Sequence, residues 1–374
     1  MVAALKSTSL LSIAALASFN QAVASLNFKF ILPGPAGSNL FRLIILAALL
    51  PVFGTGCGTF IAHRMTQAPN KYPGWLAPSA RVVLAFNQKL LTNAPAHYAD
   101  VGPPAARLHY RIVEPADYQL RVSSTNWVEH GEARYRFTFR AEVPRTNAWS
   151  AKPRGTVFLL HGYGLAEFSM VPWAWQLAQN GWSCVLVDLR GHGQSTGKMI
   201  YYGLTESADM SQLLDQLLKN GQVAAPVAVI GESYGAALAL RWKTMDPRVG
   251  SVVAIAPYVV LSNAVMNICH DFAPLLPKVF IRAGLKQLPA VLSVPSIDLD
   301  TATVLTRHPV TALFVAGTED DVVPPADVRR LYGEAALGSQ LIVVPATHET
   351  VPYDFSDLIP TVKAWLKANE AIDK

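Results

Sequence analysis

Val227-Ala228-Val229-Ile230-Gly231-Glu232-Ser233-Tyr234-Gly235-Ala236-Ala237-Leu238-Ala239-Leu240 is the stretch on which the reading of this chain turns. Its first four residues suit a buried strand, and the Ala-rich run after Gly235 predicts a helix over 236–243. Between them stands Gly-x-Ser-x-Gly. A strand-to-helix turn this tight leaves no room for side chains at its flanks and lifts the serine oxygen into the open. A bare match is common by chance; the strand before it and the helix after it make it specific.

Further apolar runs lie at 156–160, 184–188, 252–256, 312–316 and 341–344. Continuous runs of this kind suit parallel strands covered on both faces. Helical patterns alternate with them. From Thr205 to Asn220, residues Met210, Leu213, Leu214, Leu217 and Leu218 form one stripe, with Thr205 placed to cap and Gly221 to stop it. From Ser356 to Ala368, the buried set is Leu358, Ile359, Val362, Trp365 and Leu366. Ahead of all these, 118–124 and 134–143 alternate apolar and polar residues as half-exposed antiparallel strands do. The expected fold class is α/β, with a mostly parallel, doubly wound sheet and its chemistry at the carboxyl ends of the strands.

A serine is a poor nucleophile until a base held by an acid takes its proton. The histidines following Ser233 are His270, His308 and His348. His348 sits in Pro345-Ala346-Thr347-His348-Glu349, just past the run 341–344, whereas His270 lies in a segment read as a lid and His308 precedes a strand. His348 is therefore the expected base. The acid is expected after the run 312–316, where Glu319, Asp320 and Asp321 offer three carboxylates; Asp320 is the first choice and Asp321 its alternative.

The order Ser233, Asp320, His348, with His161-Gly162-Tyr163-Gly164 after an earlier strand and Asp188-Leu189-Arg190-Gly191-His192-Gly193-Gln194-Ser195 after the next, resembles the α/β-hydrolase superfamily. The branch it looks most like is that of lysophospholipases, monoacylglycerol lipases and serine aminopeptidases. The resemblance covers residues 111–374 and implies the α/β-hydrolase fold with a small helical lid at about 258–310. Its Gly-x-x-Asp-x-x-Val-Pro pattern selects Asp320 over Asp321. It also puts an oxyanion hole on the backbone amides of Tyr163 and Tyr234, and makes His161 and His192 loop-structuring residues. A serine nucleophile sets the chain apart from epoxide hydrolases and haloalkane dehalogenases of this fold, which use Asp. No phosphate loop or paired His ligands stand in the sequence, so neither cofactor nor metal is expected.

The expected function is hydrolysis of carboxylic esters, of lipids or small acyl groups, through an acyl-enzyme. A peptidase or acyltransferase with the same triad, and a non-catalytic cell-envelope binding protein, are the alternatives. Within the lid, 277–288 reads as a helix with Val279, Phe280 and Ala283 on an apolar side and Lys278, Arg282 and Lys286 on the other, a basic stripe that is either a solvated face or a contact for anionic headgroups beside an anchored enzyme.

Charge is scarce, at 15% of 374 residues against roughly 25% in average soluble domains, and the net charge is +5. That is neither a disordered chain nor a nucleic-acid-binding one. Three cysteines exclude a disulfide scaffold and a zinc knuckle; Cys184 and Cys269 read as packed thiols. The scarcity concentrates in residues 1–63, which hold Lys6, Lys29 and Arg42 and no acid. Two export-type signals stand there in series. One is Lys6, an apolar run over 10–19 and Ala22-Val23-Ala24. The other is Arg42, an apolar run over 43–50 and Gly54-Thr55-Gly56-Cys57, which resembles a bacterial lipoprotein signal with Cys57 as the lipidated residue, though Gly54 departs from the pattern. Residues 40–62 also match the roughly 20 residues that cross a bilayer. Lipidation, a spanning anchor and a cleaved signal are the three readings, and each places the body of the protein in the cell envelope, anchored to the membrane in the first two. The expected organisation is a signal or anchor over 1–57, a spacer over 58–110 with a docked helix at 79–91, and the hydrolase domain over 111–374.

Overall fold

The computed structural model describes residues 2–5, 56, 58–69, 91, 94–129, 132–142, 152–272 and 277–369. Cys57 and almost all of 79–91 lie outside these residues, as do the apolar runs at 10–19 and 43–50.

Among the described residues there are eleven strands and nine α-helices. β1 is Val2–Leu5, followed by helix α1 over residues 58–66. Then come β2 (His97–Val101), β3 (Ala106–Val113), β4 (Gln119–Glu129), β5 (Glu132–Glu142) and β6 (Thr156–Leu160). From there strand and helix alternate: α2 (Val171–Ala178), β7 (Ser183–Val187), α3 (Leu204–Lys219), β8 (Val227–Glu232), α4 (Tyr234–Met245) and β9 (Val249–Ile255). Three helices intervene before the next strand: α5 (Leu261–Phe272), α6 (Lys278–Leu292) and α7 (Thr301–Arg307). The chain closes with β10 (Leu313–Gly317), α8 (Pro325–Gly333), β11 (Gln340–Val344) and α9 (Phe355–Asn369).

Eight strands form the main sheet in the order β11-β10-β9-β8-β6-β7-β3-β2. The pairs from β11 through β7 are parallel, and β3 and β2 join antiparallel at one edge. Strands β6, β7, β8 and β10 are buried along their whole length, which is why their sequences run apolar without alternation. Helices cover both faces. Trp242, Leu213 and Leu217 belong to the core on one face, Trp173, Trp175 and Trp365 to that on the other. β4 and β5 pair antiparallel, Gln119 opposite Glu142 through Glu129 opposite Glu132, and make a separate three-stranded sheet with β1.

Several boundaries differ from the sequence reading. A domain start at 111 falls inside β3, whose residues 106–110 and whose partner β2 are part of the main sheet. Their polar character disguised them: His109 is fully buried, but only because Asp188 takes its Nδ1 at 2.9 Å. The spacer also holds core. In α1, Ile61 and Ala62 are buried, and residues 66–68 are laced to 198–200 by Ile200 N–H to the Thr66 carbonyl (2.9 Å) and Ala68 N–H to the Lys198 carbonyl (3.1 Å). Thr205 is not the cap of α3. Gly203 holds that position, and Glu206 accepts its amide at 3.0 Å and that of Tyr201 at 2.7 Å. On α6 the buried side is Ile281, Gly284, Leu288 and Leu292, so Val279 and Phe280 stand outside, contrary to their expected place on the apolar face.

Among the described residues no helix is long and apolar enough to cross a membrane.

One buried ion pair fixes α3 against the loop after β7. Arg190 Nε and Nη2 each donate to Asp209 at 2.7 Å, and both side chains are at most 2% exposed. Removing one partner leaves the other buried and uncompensated, which costs about 3–5 kcal/mol, whereas apolar replacement of both is often close to neutral. Arg190→Ala is therefore expected to lower the unfolding free energy obtained from urea titration by that amount, and the Arg190→Leu, Asp209→Leu double variant by far less; equal losses in the two would refute this.

Candidate active site

Ser233 lies between β8 and α4 with φ 51° and ψ −108°, the sharp turn the motif predicts. A non-glycine residue held there stores about 1–3 kcal/mol, and the packing around it enforces the cost. A Cβ on Gly235 would come 2.3 Å from the Leu160 carbonyl oxygen at the end of β6, so only glycine permits α4 to start this close to the sheet. Ser233 itself is half-buried and open to a substrate.

His348 follows β11 and Asp320 follows β10, as expected. The two loops are tied together by the Glu319 amide, which donates to the Ala346 carbonyl at 3.1 Å, and by the Thr318 amide on the Val344 carbonyl at 2.8 Å. His348 Nδ1 donates to Asp320 Oδ2 at 2.8 Å, and the Ser233 hydroxyl lies 3.0 Å from Nε2. The other carboxylate oxygen of Asp320 accepts the amides of Val322 (3.0 Å) and Val323 (2.6 Å), which keeps Asp320 an acceptor and fixes its rotation. Burial lowers the affinity of His348 for a proton; the charge and hydrogen bond of Asp320, with Glu349 and Glu232 adding to them, outweigh it, so its pKa lies above the ordinary imidazole value. His270 and His308 are exposed and take no part in this chain of hydrogen bonds.

Tyr234 is the first residue of α4, so its amide has no acceptor within the helix. Tyr163 stands on the loop after β6, its ring 6.4 Å from that of Tyr234. What holds the two together is a residue the sequence reading passed over. Glu232, buried next to Ser233, accepts the Gly162 amide at 3.1 Å and the Ser169 hydroxyl at 2.8 Å. Burial pushes its carboxyl upward, and Ser169, Gly162 and the nearby His348 pull against that. A charged residue inside an otherwise small and apolar motif was the available signal.

The neighbouring histidines are structural. His161 Nε2 accepts the Leu189 amide at 3.0 Å, so its proton is on Nδ1, which faces the Gly162 carbonyl at 2.8 Å. Burial lowers the pKa of His161, and that of His192 to about 3, so both stay neutral. The His192 ring packs against Tyr163 (6.0 Å) and Tyr234 (5.8 Å). Behind them Asp188 accepts the amides of Glu167 and Gln194 at 2.8 Å each besides His109, and organises the loop after β7. Cys184 and Cys269 are both free thiols, the first buried and the second half-buried, and burial raises the pKa of each. Among the described residues no group of three or more His, Cys, Asp or Glu is placed to hold a metal ion.

Sheet order, nucleophile turn and the order of the three residues along the chain are those of an α/β hydrolase. Residues 151–300 match the family described as serine aminopeptidase, S33. An uncharacterised protein of Bacillus subtilis is 23% identical over 188 residues, 47% of this chain and 59% of that one. A monoacylglycerol lipase of Mycolicibacterium smegmatis is 28% identical over 238 residues, 60% of this chain and 79% of that one. The chain spans little more than half the length of the first curated relatives it matches. Among solved structures, an esterase of Pyrococcus furiosus superposes with a TM-score of 0.57 at 18% identity, over 82% of this chain and 98% of that one, a likeness of fold.

The raised pKa of His348 depends on Asp320, so a proton NMR titration is expected to place the His348 imidazole above the ordinary value of roughly 6.5. In Asp320→Asn the value is expected to fall, because burial then acts without an opposing charge. An unchanged titration in that variant would mean that Asp320 does not set the protonation of His348.

Proposed function

We propose that this chain is a serine hydrolase of carboxylic esters working through an acyl-enzyme. Ser233 Oγ attacks the ester carbonyl while His348 Nε2 takes its proton, and Asp320 steadies the imidazolium without becoming protonated. The amides of Tyr163 and Tyr234 receive the oxyanion, a contribution of about 100- to 1,000-fold in rate per donor. Collapse of the tetrahedral intermediate expels the alcohol, which takes its proton from His348. Water, deprotonated by the same imidazole, then releases the acid and restores Ser233. The observation that carries this reading is the unbroken line from Ser233 through His348 to Asp320, at 3.0 and 2.8 Å, with the serine at a strained and accessible turn.

Esters of lipids or of small acyl groups are the proposed substrates. The lipase and esterase among the similar proteins support that choice; the S33 aminopeptidase description supports a second reading, in which the same residues cleave an amide. A fluorophosphonate probe is expected to label the wild type and not Ser233→Ala, and p-nitrophenyl esters to turn over much faster than aminoacyl anilides. Removal of the serine is expected to lower kcat roughly 10⁶-fold. Folded protein that neither takes the label nor turns over either substrate would leave the non-catalytic binding role; faster anilide cleavage would move the assignment to a peptidase.

We further propose that the protein is held at the cell envelope by lipid on Cys57. The basic residue, apolar run and small residues ahead of that cysteine support it. Mass spectrometry of the membrane fraction is expected to find a mature chain starting at a diacylglyceryl-modified Cys57; a mature chain that begins at Ser25, or retains the leader, would overturn it.

A further inference from the structure

Two large apolar residues of α6 are not where an amphipathic helix on a globular body needs them. Val279 is 65% and Phe280 42% exposed, and Lys278, Arg282 and Lys286 are exposed as well. No acidic residue occurs anywhere in α6. Solvent-exposed aromatic and branched residues amid cations, on a helix whose opposite side is fully packed, are an interaction face rather than a solubilising one.

α1 extends that face. It packs directly on α6: a Cβ on Gly284 would meet the Ile61 side chain at 2.4 Å, and one on Gly58 would lie 2.9 Å from the Ala283 carbonyl oxygen. On its outer side Phe60 is 52% exposed. The chain immediately before this helix is the apolar leader, with Leu43-Ile44-Ile45-Leu46-Ala47-Ala48-Leu49-Leu50-Pro51-Val52-Phe53 ending five residues short of Gly58. The segment whose composition suits a bilayer thus joins the body of the protein at the helix pair that leaves apolar and basic side chains bare.

We infer that the outer face of the α1–α6 pair docks on an anionic lipid bilayer, with Phe60, Val279 and Phe280 entering the boundary between headgroups and acyl chains and Lys278, Arg282 and Lys286 on lipid phosphates. A basic apolar face adds a second contact to a lipid tether and fixes how the body lies on the membrane. The inner side of α1 also touches residues packed behind the site. The Tyr202 hydroxyl donates to the Met65 carbonyl of α1 at 2.8 Å, and its ring packs 6.3 Å from that of Tyr234. Docking does not depend on ester hydrolysis and goes beyond it.

The test uses the full chain with bimane on Val279→Cys, the labelled chain without that cysteine as background, and phosphatidylcholine vesicles with or without phosphatidylglycerol. Nitroxide-bearing lipids in the vesicles are expected to quench the probe. Phosphatidylglycerol is expected to strengthen partitioning by roughly 100-fold, the effect of three cations at an anionic surface. The Lys278→Gln, Arg282→Gln, Lys286→Gln variant is expected to lose that gain, and Phe60→Ser with Phe280→Ser to bind both vesicle types less, all with unchanged Tm. A probe that stays unquenched while the protein floats with the vesicles would show that the tether alone holds it. An unchanged phosphatidylglycerol effect in the triple variant would equally overturn the proposal. Because no readout uses turnover, its failure is separate from failure of the ester-hydrolase assignment.

Discussion

Three side chains that must meet within hydrogen-bonding distance come from three separate strand ends, so the site rests on the register of the parallel sheet. Glu232 pairs with Ile255, Ile255 with Val315, and Gly317 with Val344. With the strands aligned in this way, the turns after β8, β10 and β11 leave the sheet on the same edge. Side-chain burial fixes that alignment, because these strands are covered on both faces and a slip of one residue would exchange every contact between the two cores. The geometry around Ser233 is then a local refinement of something the sheet has already decided.

Burial does different work on each ionisable group at that edge. His161 and His192 are kept neutral by desolvation and serve as hydrogen-bonding struts. His348 is buried too, yet the carboxylate of Asp320 reverses the effect and makes it a stronger base. Asp188 shows the balance most clearly. Burial opposes its charge, but the hydrogen bond from His109 and the amides of Gln194 and Glu167 outweigh that and hold the carboxyl below its ordinary value. Glu167 beside it, desolvated and facing the Asp188 charge, is instead pushed up to about 7. Two neighbouring acids are thus shifted in opposite directions because Asp188 collects more donors.

The central strands and the nucleophile turn were legible because a strand buried on both faces must be apolar throughout and a sharp elbow must be flanked by glycine. His348 and Asp320 followed from position, each falling just past a strand end. The edge strands β2 and β3 were not legible, since His109 and Arg111 look like surface residues until their partners Asp188 and Glu167, far along the chain, are in view. The same blindness applied to α6. Counting apolar residues suggested that Val279 and Phe280 face inward, whereas Gly284 is what allows close approach, by accommodating Ile61 of α1. Helix faces decided by contact with a remote segment cannot be read from the helix's own periodicity.

The seating of α1 also restricts how the polypeptide can be trimmed. Ala62 is wholly enclosed and Thr66 lends its carbonyl to Ile200, so proteolysis beyond Gly58 would strip a wall from the core rather than shorten a leash. A cut on the amino-terminal side of that glycine removes β1 from its sheet with β5 but leaves α1 and the main core whole. A lipid on Cys57 would leave no slack between anchor and globule, and the protein would sit on its membrane with a defined tilt instead of swinging at the end of a flexible stalk.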